Sequence, residues 1–141
     1  MLKLTVLGNN GTYPAKNGAC SSFLLEADEK KILIDMGNGS LAKLQNICEL
    51  ADIDIIIISH LHFDHFADLL PFKYAIETKK YFGEKIGKVK LFIPPVPQWV
   101  ASEIVTNEVF SITYLQDGYT DIEHGVRLRF FRVNHSVDSF A

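Results

Sequence analysis

The sequence is poor in cysteine: Cys20 and Cys48 are the only two among 141 residues. Two thiols exclude a disulfide framework and fit a reducing, cytoplasmic setting. Neither lies beside a second cysteine or a histidine, so both read as small buried residues rather than ligands. No apolar stretch is long enough to span a bilayer, and no membrane partner is expected. The first eight residues lack the long apolar segment and cleavage site of a signal peptide. Basic charge is not in surplus either. Fourteen Lys and Arg stand against 17 Asp and Glu, a formal net charge of −3, which excludes a general pull toward nucleic acid and does not favour RNA as a partner. What is present is enough apolar material for a core, 48% of the residues, in one domain's worth of chain, residues 1–141.

The densest chemistry lies in Ser59-His60-Leu61-His62-Phe63-Asp64-His65. Ahead of it runs Asp52-Ile53-Asp54-Ile55-Ile56-Ile57-Ile58. Four consecutive isoleucines predict a strand buried on both faces, at the middle of a sheet with layers on either side. Ligands in layered α/β folds collect just past the carboxyl ends of such strands. His60 and His62 are two apart, so in an extended segment they point the same way. Asp64 and His65 fall at the bend into the next helix and can point elsewhere. One short loop thus offers two ligand pairs to two neighbouring metal ions. Imidazole with carboxylate suits zinc, and also manganese or iron.

The rest of the chain reads as alternating strands and helices. Leu2 to Leu7 predicts a first strand, ended by Gly8-Asn9-Asn10-Gly11. The loop that continues from Pro14 to Gly18 is either a plain surface turn or a wall of the site. Ser22 to Glu26 and Lys31 to Asp35 predict two strands joined as a hairpin. Ser40 to Glu49 predicts a helix with Leu41, Leu44 and Ile47 on one face, and a second helix is expected from about His65 to Phe82. Asp68 is placed either to orient a ligand or as an exposed acid of the first turn. Lys79, Lys80, Lys85, Lys88 and Lys90, mixed with Glu77 and Glu84, form a solvated face or a phosphate-steering patch. Lys90 to Ile93 predicts a strand, Gln98 to Asn107 a helix with Trp99 as a packing residue rather than a substrate platform, and Phe110 to Leu115 and Val126 to Val133 further strands. His124 is assigned no role.

His60-x-His62-x-Asp64-His65 after a hydrophobic strand resembles the signature of the metallo-β-lactamase superfamily. The continuation into Ala67-Asp68-Leu69-Leu70-Pro71 is similar to the branch containing ribonuclease Z and phosphodiesterase-like hydrolases. The resemblance runs over the whole chain. It implies an α/β fold, the four-layer αββα metallo-β-lactamase fold, of which residues 1–141 cover about the first half. The chain therefore reads as truncated, without the bridging aspartate and last histidine of the family, and the isolated 141 residues are expected to be inactive. The open edge of an interrupted sheet makes association into a homo-oligomer an expected hazard.

The same resemblance implies the ligand set. His60, His62 and His135 would hold a first ion, His135 because the family's next metal histidine follows a strand at this distance, ahead of a pair matched by Phe140-Ala141. Asp64 and His65 would hold a second ion, with Asp64 orienting the nucleophile as the catalytic residue. Asp35, in a turn similar to the family's aspartate-glycine turn, either accepts a hydrogen bond from a ligating histidine or caps the turn. The activity implied is a hydrolase using a metal-bridged hydroxide, with a small-molecule or nucleotide phosphodiester as substrate. A thioesterase or lactamase-like enzyme of the same superfamily is the alternative, and a non-catalytic metal-binding module is a third reading. Pro14-Ala15-Lys16-Asn17 lacks the arginine that ribonuclease Z carries near its first loop, which weakens transfer-RNA processing. His62 stands where flavodiiron proteins have glutamate, which argues against a redox role.

Overall fold

The computed structural model describes residues 1–104, 108–123 and 126–141. A mixed sheet of six strands among the described residues organises them. Strands β1 (Leu2–Gly8), β2 (Ser22–Ala27) and β3 (Lys30–Ile34) form an antiparallel meander. Beyond β3 the sheet is parallel, through β4 (Ile55–Ile57), β5 (Val89–Ile93) and β6 (Phe110–Tyr114), in the order β1-β2-β3-β4-β5-β6. The isoleucine run is thus an interior strand, parallel to both neighbours, as its composition predicts. Its side chains alternate between two cores. Ile56 and Ile58 join Leu33 and Leu91 on one face, while Ile55 joins Ile32 and Phe92 on the other.

Helices cover the first face. They are α1 (Ser40–Leu44), α2 (Phe63–Phe66), α3 (Leu69–Tyr81) and α4 (Gln98–Ile104), which contribute Leu44, Phe66, Leu69, Phe72, Ile76, Val100 and Ile104 to that core. The second face receives Leu115, Phe130 and Phe140. They flank two small antiparallel ribbons, β7 (Thr120–Glu123) with β8 (Val126–Arg129), and β9 (Arg132–Val133) with β10 (Ser139–Phe140). Leu2, Leu4 and Val6 stay exposed on the edge strand β1.

Several elements differ from the sequence reading. The helix expected over 65–82 is two helices, because the chain turns at Ala67-Asp68. There the Asp68 N–H donates to Met36 O (2.9 Å), and the Asp68 carboxylate accepts from the Leu41 N–H (2.8 Å). Asp68 therefore caps the start of α1; it neither orients a ligand nor sits exposed in a first turn. Burial raises its pKa, against the backbone N–H groups of Leu41, Gly39 and Ser40, which lower it. The helix expected over 40–49 stops at Leu44. The strand expected over 126–133 is interrupted at Phe130, which turns into the second core. Trp99, expected to pack, is 62% exposed. Residues 105–107 of the helix expected to end at Asn107, and His124, lie outside the described residues. Of the lysine cluster, Lys79 pairs with Glu84 (3.2 Å), Lys90 with Asp121 (2.7 Å), and Lys80 donates to Glu108 O (2.7 Å).

Candidate metal centre

The strands β3 and β4 end side by side, and the site begins where they stop. The Asp35 N–H donates to Ile57 O (2.8 Å), with Asp35 at φ 59°, a left-handed conformation that aspartate tolerates. That turn aims the carboxylate at the loop after β4. Its Oδ1 accepts from the Ser59 N–H (2.7 Å), and its Oδ2 meets both the Ser59 hydroxyl (2.8 Å) and His65 Nδ1 (2.7 Å). Ser59 Oγ also lies 3.0 Å from His60 Nδ1. A carboxylate only accepts, so Ser59 donates its single proton to Asp35 and accepts from His60 Nδ1–H. His65 Nδ1 likewise carries a proton. One buried carboxylate thus leaves Nε2 of both His60 and His65 with free lone pairs, the arrangement that ligating histidines require.

The distant histidine is brought in by the β9–β10 ribbon. The Phe140 N–H donates to Ser59 O (2.9 Å), and His60 bridges Ser139 through the backbone. With Phe140 anchored in the core, the turn between the two strands carries His135 over the loop. His60, His62 and His135 converge, their candidate ligand atoms all within 4.8 Å of one another. The ring centroids are 4.7 to 5.0 Å apart. His135 Nε2 and His62 Nδ1 lie 3.2 Å apart. Two nitrogens at roughly 2.0–2.1 Å from one tetrahedral zinc are about 3.3 Å from each other, so the observed pair fits a shared ion.

Asp64 and His65 sit beside this triad. His65 Nε2 is 3.7 Å from Asp64 Oδ2, and the His60 and His65 rings are 3.9 Å apart. These five residues, with Thr12 and Phe63, line an open cleft of about 540 Å³. Gly11 passes over Asp64, where a β-carbon would stand 3.1 Å from Oδ2. The first loop is therefore a wall of the site at Gly11 and Thr12, while Pro14 to Asn17 are exposed. Burial, then the neighbouring His65, pushes the His60 pKa down to about 4, so its imidazole is neutral near pH 7. Burial opposes charge on His65 as well, but the Asp35 hydrogen bond and the Asp35 and Asp64 charges outweigh it and raise its pKa.

Ser59, Gly11, Thr12 and Ser139 were not singled out by sequence reasoning. Ser59 carried a signal, being the one hydroxyl between strand end and histidine. The others are set by contacts between segments far apart in the chain. Asp35→Asn tests the carboxylate. Asparagine also tolerates the left-handed backbone, but its amide puts a donor where Ser59 or His65 also donates. Zinc affinity, measured by competition with a chromophoric chelator, is expected to fall about 10- to 100-fold with the circular dichroism spectrum retained. Unchanged affinity would show that Asp35 only caps its turn.

A parallel-centred α/β sheet with a histidine cluster at the carboxyl ends of its middle strands defines the class of protein. Residues 15–130 match the family model of the metallo-beta-lactamase superfamily, and the chain belongs to that superfamily. The probable metallo-hydrolase YhfI of Bacillus subtilis is 34% identical over 83 residues, 59% of this chain and 34% of that protein. Ribonuclease Z of Clostridioides difficile is 42% identical over 71 residues, 50% of this chain and 23% of the relative. The crystal structure of Bacillus subtilis YhfI, described as a metallo-beta-lactamase fold protein, superimposes with a TM-score of 0.92 at 24% identity. It covers 99% of this chain and 56% of its own. The chain thus spans well under two thirds of the length of each of these three proteins. No helix among the described residues is long and apolar enough to cross a membrane.

Proposed function

We propose that the protein is a metal-dependent hydrolase of phosphodiesters. The observation that carries this reading is the convergence of His60, His62 and His135 beside Asp64 and His65 in one open cleft. The ribonuclease Z relative supports the choice of phosphodiester. In this reading His60, His62 and His135 hold one divalent ion, zinc by their chemistry, with manganese or iron as substitutes. Asp64 and His65 contribute to a second. When bound, the ions supply Lewis-acid activation of water and of the phosphoryl oxygens. Asp64, a buried carboxylate facing the cleft, orients the attacking water and accepts its proton. Asp35 and Ser59 hold His60 and His65 in the required tautomers. Gly11 and Thr12 confine the substrate on one side.

Full-length protein stripped with a chelator and reloaded with zinc or manganese is expected to hydrolyse bis(p-nitrophenyl) phosphate, with the stripped protein inert. Turnover of a β-lactam or a thioester in place of the diester would move the protein to another reaction of the superfamily. Residues 1–141 alone offer three imidazoles to the first ion but, among the described residues, only Asp64 and His65 to the second. They are expected to bind one zinc tightly and to turn over the diester far more slowly than the full-length protein.

A further inference from the structure

Behind Phe63 the metal cleft adjoins a second cavity, of about 220 Å³, between α2, α3 and α4. Phe63 lines both. The cavity presents aromatic rings to solvent: Phe63 is 63%, Tyr74 65% and Trp99 62% exposed. Three large exposed rings around one hollow, next to a reactive site, are an unusual use of apolar surface. Phe66, Leu70, Val100 and Ile104 complete the apolar lining. The wall also holds a cation. Lys73 is buried, with 9% of its surface exposed; its Nζ donates to Glu103 O at 3.1 Å and lies 5.8 Å from the centre of the Tyr74 ring. An ammonium has three donors, so the Glu103 carbonyl leaves two for an occupant.

These features select one kind of occupant. An aliphatic chain would leave the buried ammonium unanswered, and a free anion would leave the rings unused. A flat heteroaromatic ring with acceptor atoms on its edge answers both, stacking on the aromatics and accepting from Lys73. We propose that this cavity holds a nucleobase of the substrate, next to the phosphodiester placed in the metal cleft, so that the substrate is a nucleotide-containing diester. This rests on the phosphodiester reading and narrows it. The charge of Lys73 complements the carbonyl and ring-nitrogen acceptors of a base. Continuity through Phe63 places base and phosphate within one ligand.

Trp99 is the only tryptophan in the sequence, so its emission reports the cavity directly and without turnover. AMP and GMP, titrated into the 141-residue chain, are expected to quench Trp99 saturably. Ribose 5-phosphate, which lacks a base, should leave the emission unchanged. Tyr74→Ala and Lys73→Met should each weaken the nucleotide about tenfold. Lys85→Ala, at an exposed position away from the cavity, should not. Tyr74 is exposed, so its variant keeps the test intact if Lys73→Met fails to fold. Equal affinity for AMP and ribose 5-phosphate, or nucleotide binding that leaves Trp99 unquenched, would overturn the proposal. Concentration-dependent dimerisation that buries Trp99 in place of nucleotide binding would assign the cavity to a second copy of the chain. Hydrolysis of bis(p-nitrophenyl) phosphate decides the underlying reading separately. Hydrolysis without base binding removes only the cavity proposal, whereas base binding without hydrolysis keeps the cavity and removes the phosphodiesterase.

Discussion

His62→Ala is expected to abolish metal-dependent turnover in the full-length protein and to weaken zinc binding by more than about a hundredfold. That exceeds what loss of a mere orienting partner costs. Three convergent imidazoles become two, and the 3.2 Å pairing of His62 Nδ1 with His135 Nε2 disappears. The fold should survive. His62 precedes α2 but its side chain makes no capping hydrogen bond, and the bond that closes the turn, His65 N–H to His62 O at 2.9 Å, is made by the backbone. Loss of a half-buried side chain at such a place costs about 1 kcal/mol or less. Calorimetric zinc titration, a thermal melt and the diester assay check the three parts. Wild-type turnover in this variant would remove the triad from the reaction.

Gly37→Ala should act on the fold instead. A β-carbon on Gly37 would stand 2.0 Å from the Asp64 carbonyl oxygen and 2.6 Å from Cys20 Cβ. The obstacle is backbone, so no side-chain rotation relieves it. The same turn is bound to the metal loop by the Met36 N–H to His65 O (2.7 Å), and Gly37 itself donates to Ser21 O (3.0 Å). Moving either segment displaces Asp64 or breaks these bonds. The expected cost is about 3 kcal/mol or more, a drop in melting temperature of roughly 10 °C. Gly87→Ala is the control, because nothing lies within 4 Å of the added carbon. A Gly37→Ala protein that melts with the wild type would show that the turn and the loop are not in this contact.

What could be read from the sequence followed from local pattern. Four isoleucines between acids and a histidine loop define an interior strand, since few other settings bury three of the four and half-bury the other, Ile57. The hairpin of the second and third strands is equally plain, although its turn is tighter than the link Ala27 to Lys30 that the sequence suggests, since β2 runs to Ala27 and β3 starts at Lys30. Asp68 was not, because its role is fixed by Leu41 and Met36, 27 and 32 positions earlier. Those contacts end one helix and begin another inside a continuous apolar pattern. Phe130 breaks an alternating strand for a similar reason, as its ring packs tilted against Phe92, 5.2 Å between centroids. Trp99 reads as packing by its type alone, and no local pattern records that the helix carrying it turns the ring outward. His135 was singled out only through the family resemblance. Its position over the loop depends on Phe140 seated beneath the end of β4.

His62 and His135 are 73 residues apart along the chain. An ion gripped by both works as a clasp on everything between them: α3, β5, α4, β6, the β7–β8 ribbon and β9 must be in place for it to close, and unfolding any of them opens it. Its binding energy therefore belongs to the whole of that stretch and not to the loop. At a free concentration a hundred times the dissociation constant, the clasp adds about 2.7 kcal/mol to the cost of opening. That is a large share of a small domain's stability. The protein's resistance to heat and proteases would then follow the supply of metal, quite apart from any reaction it catalyses.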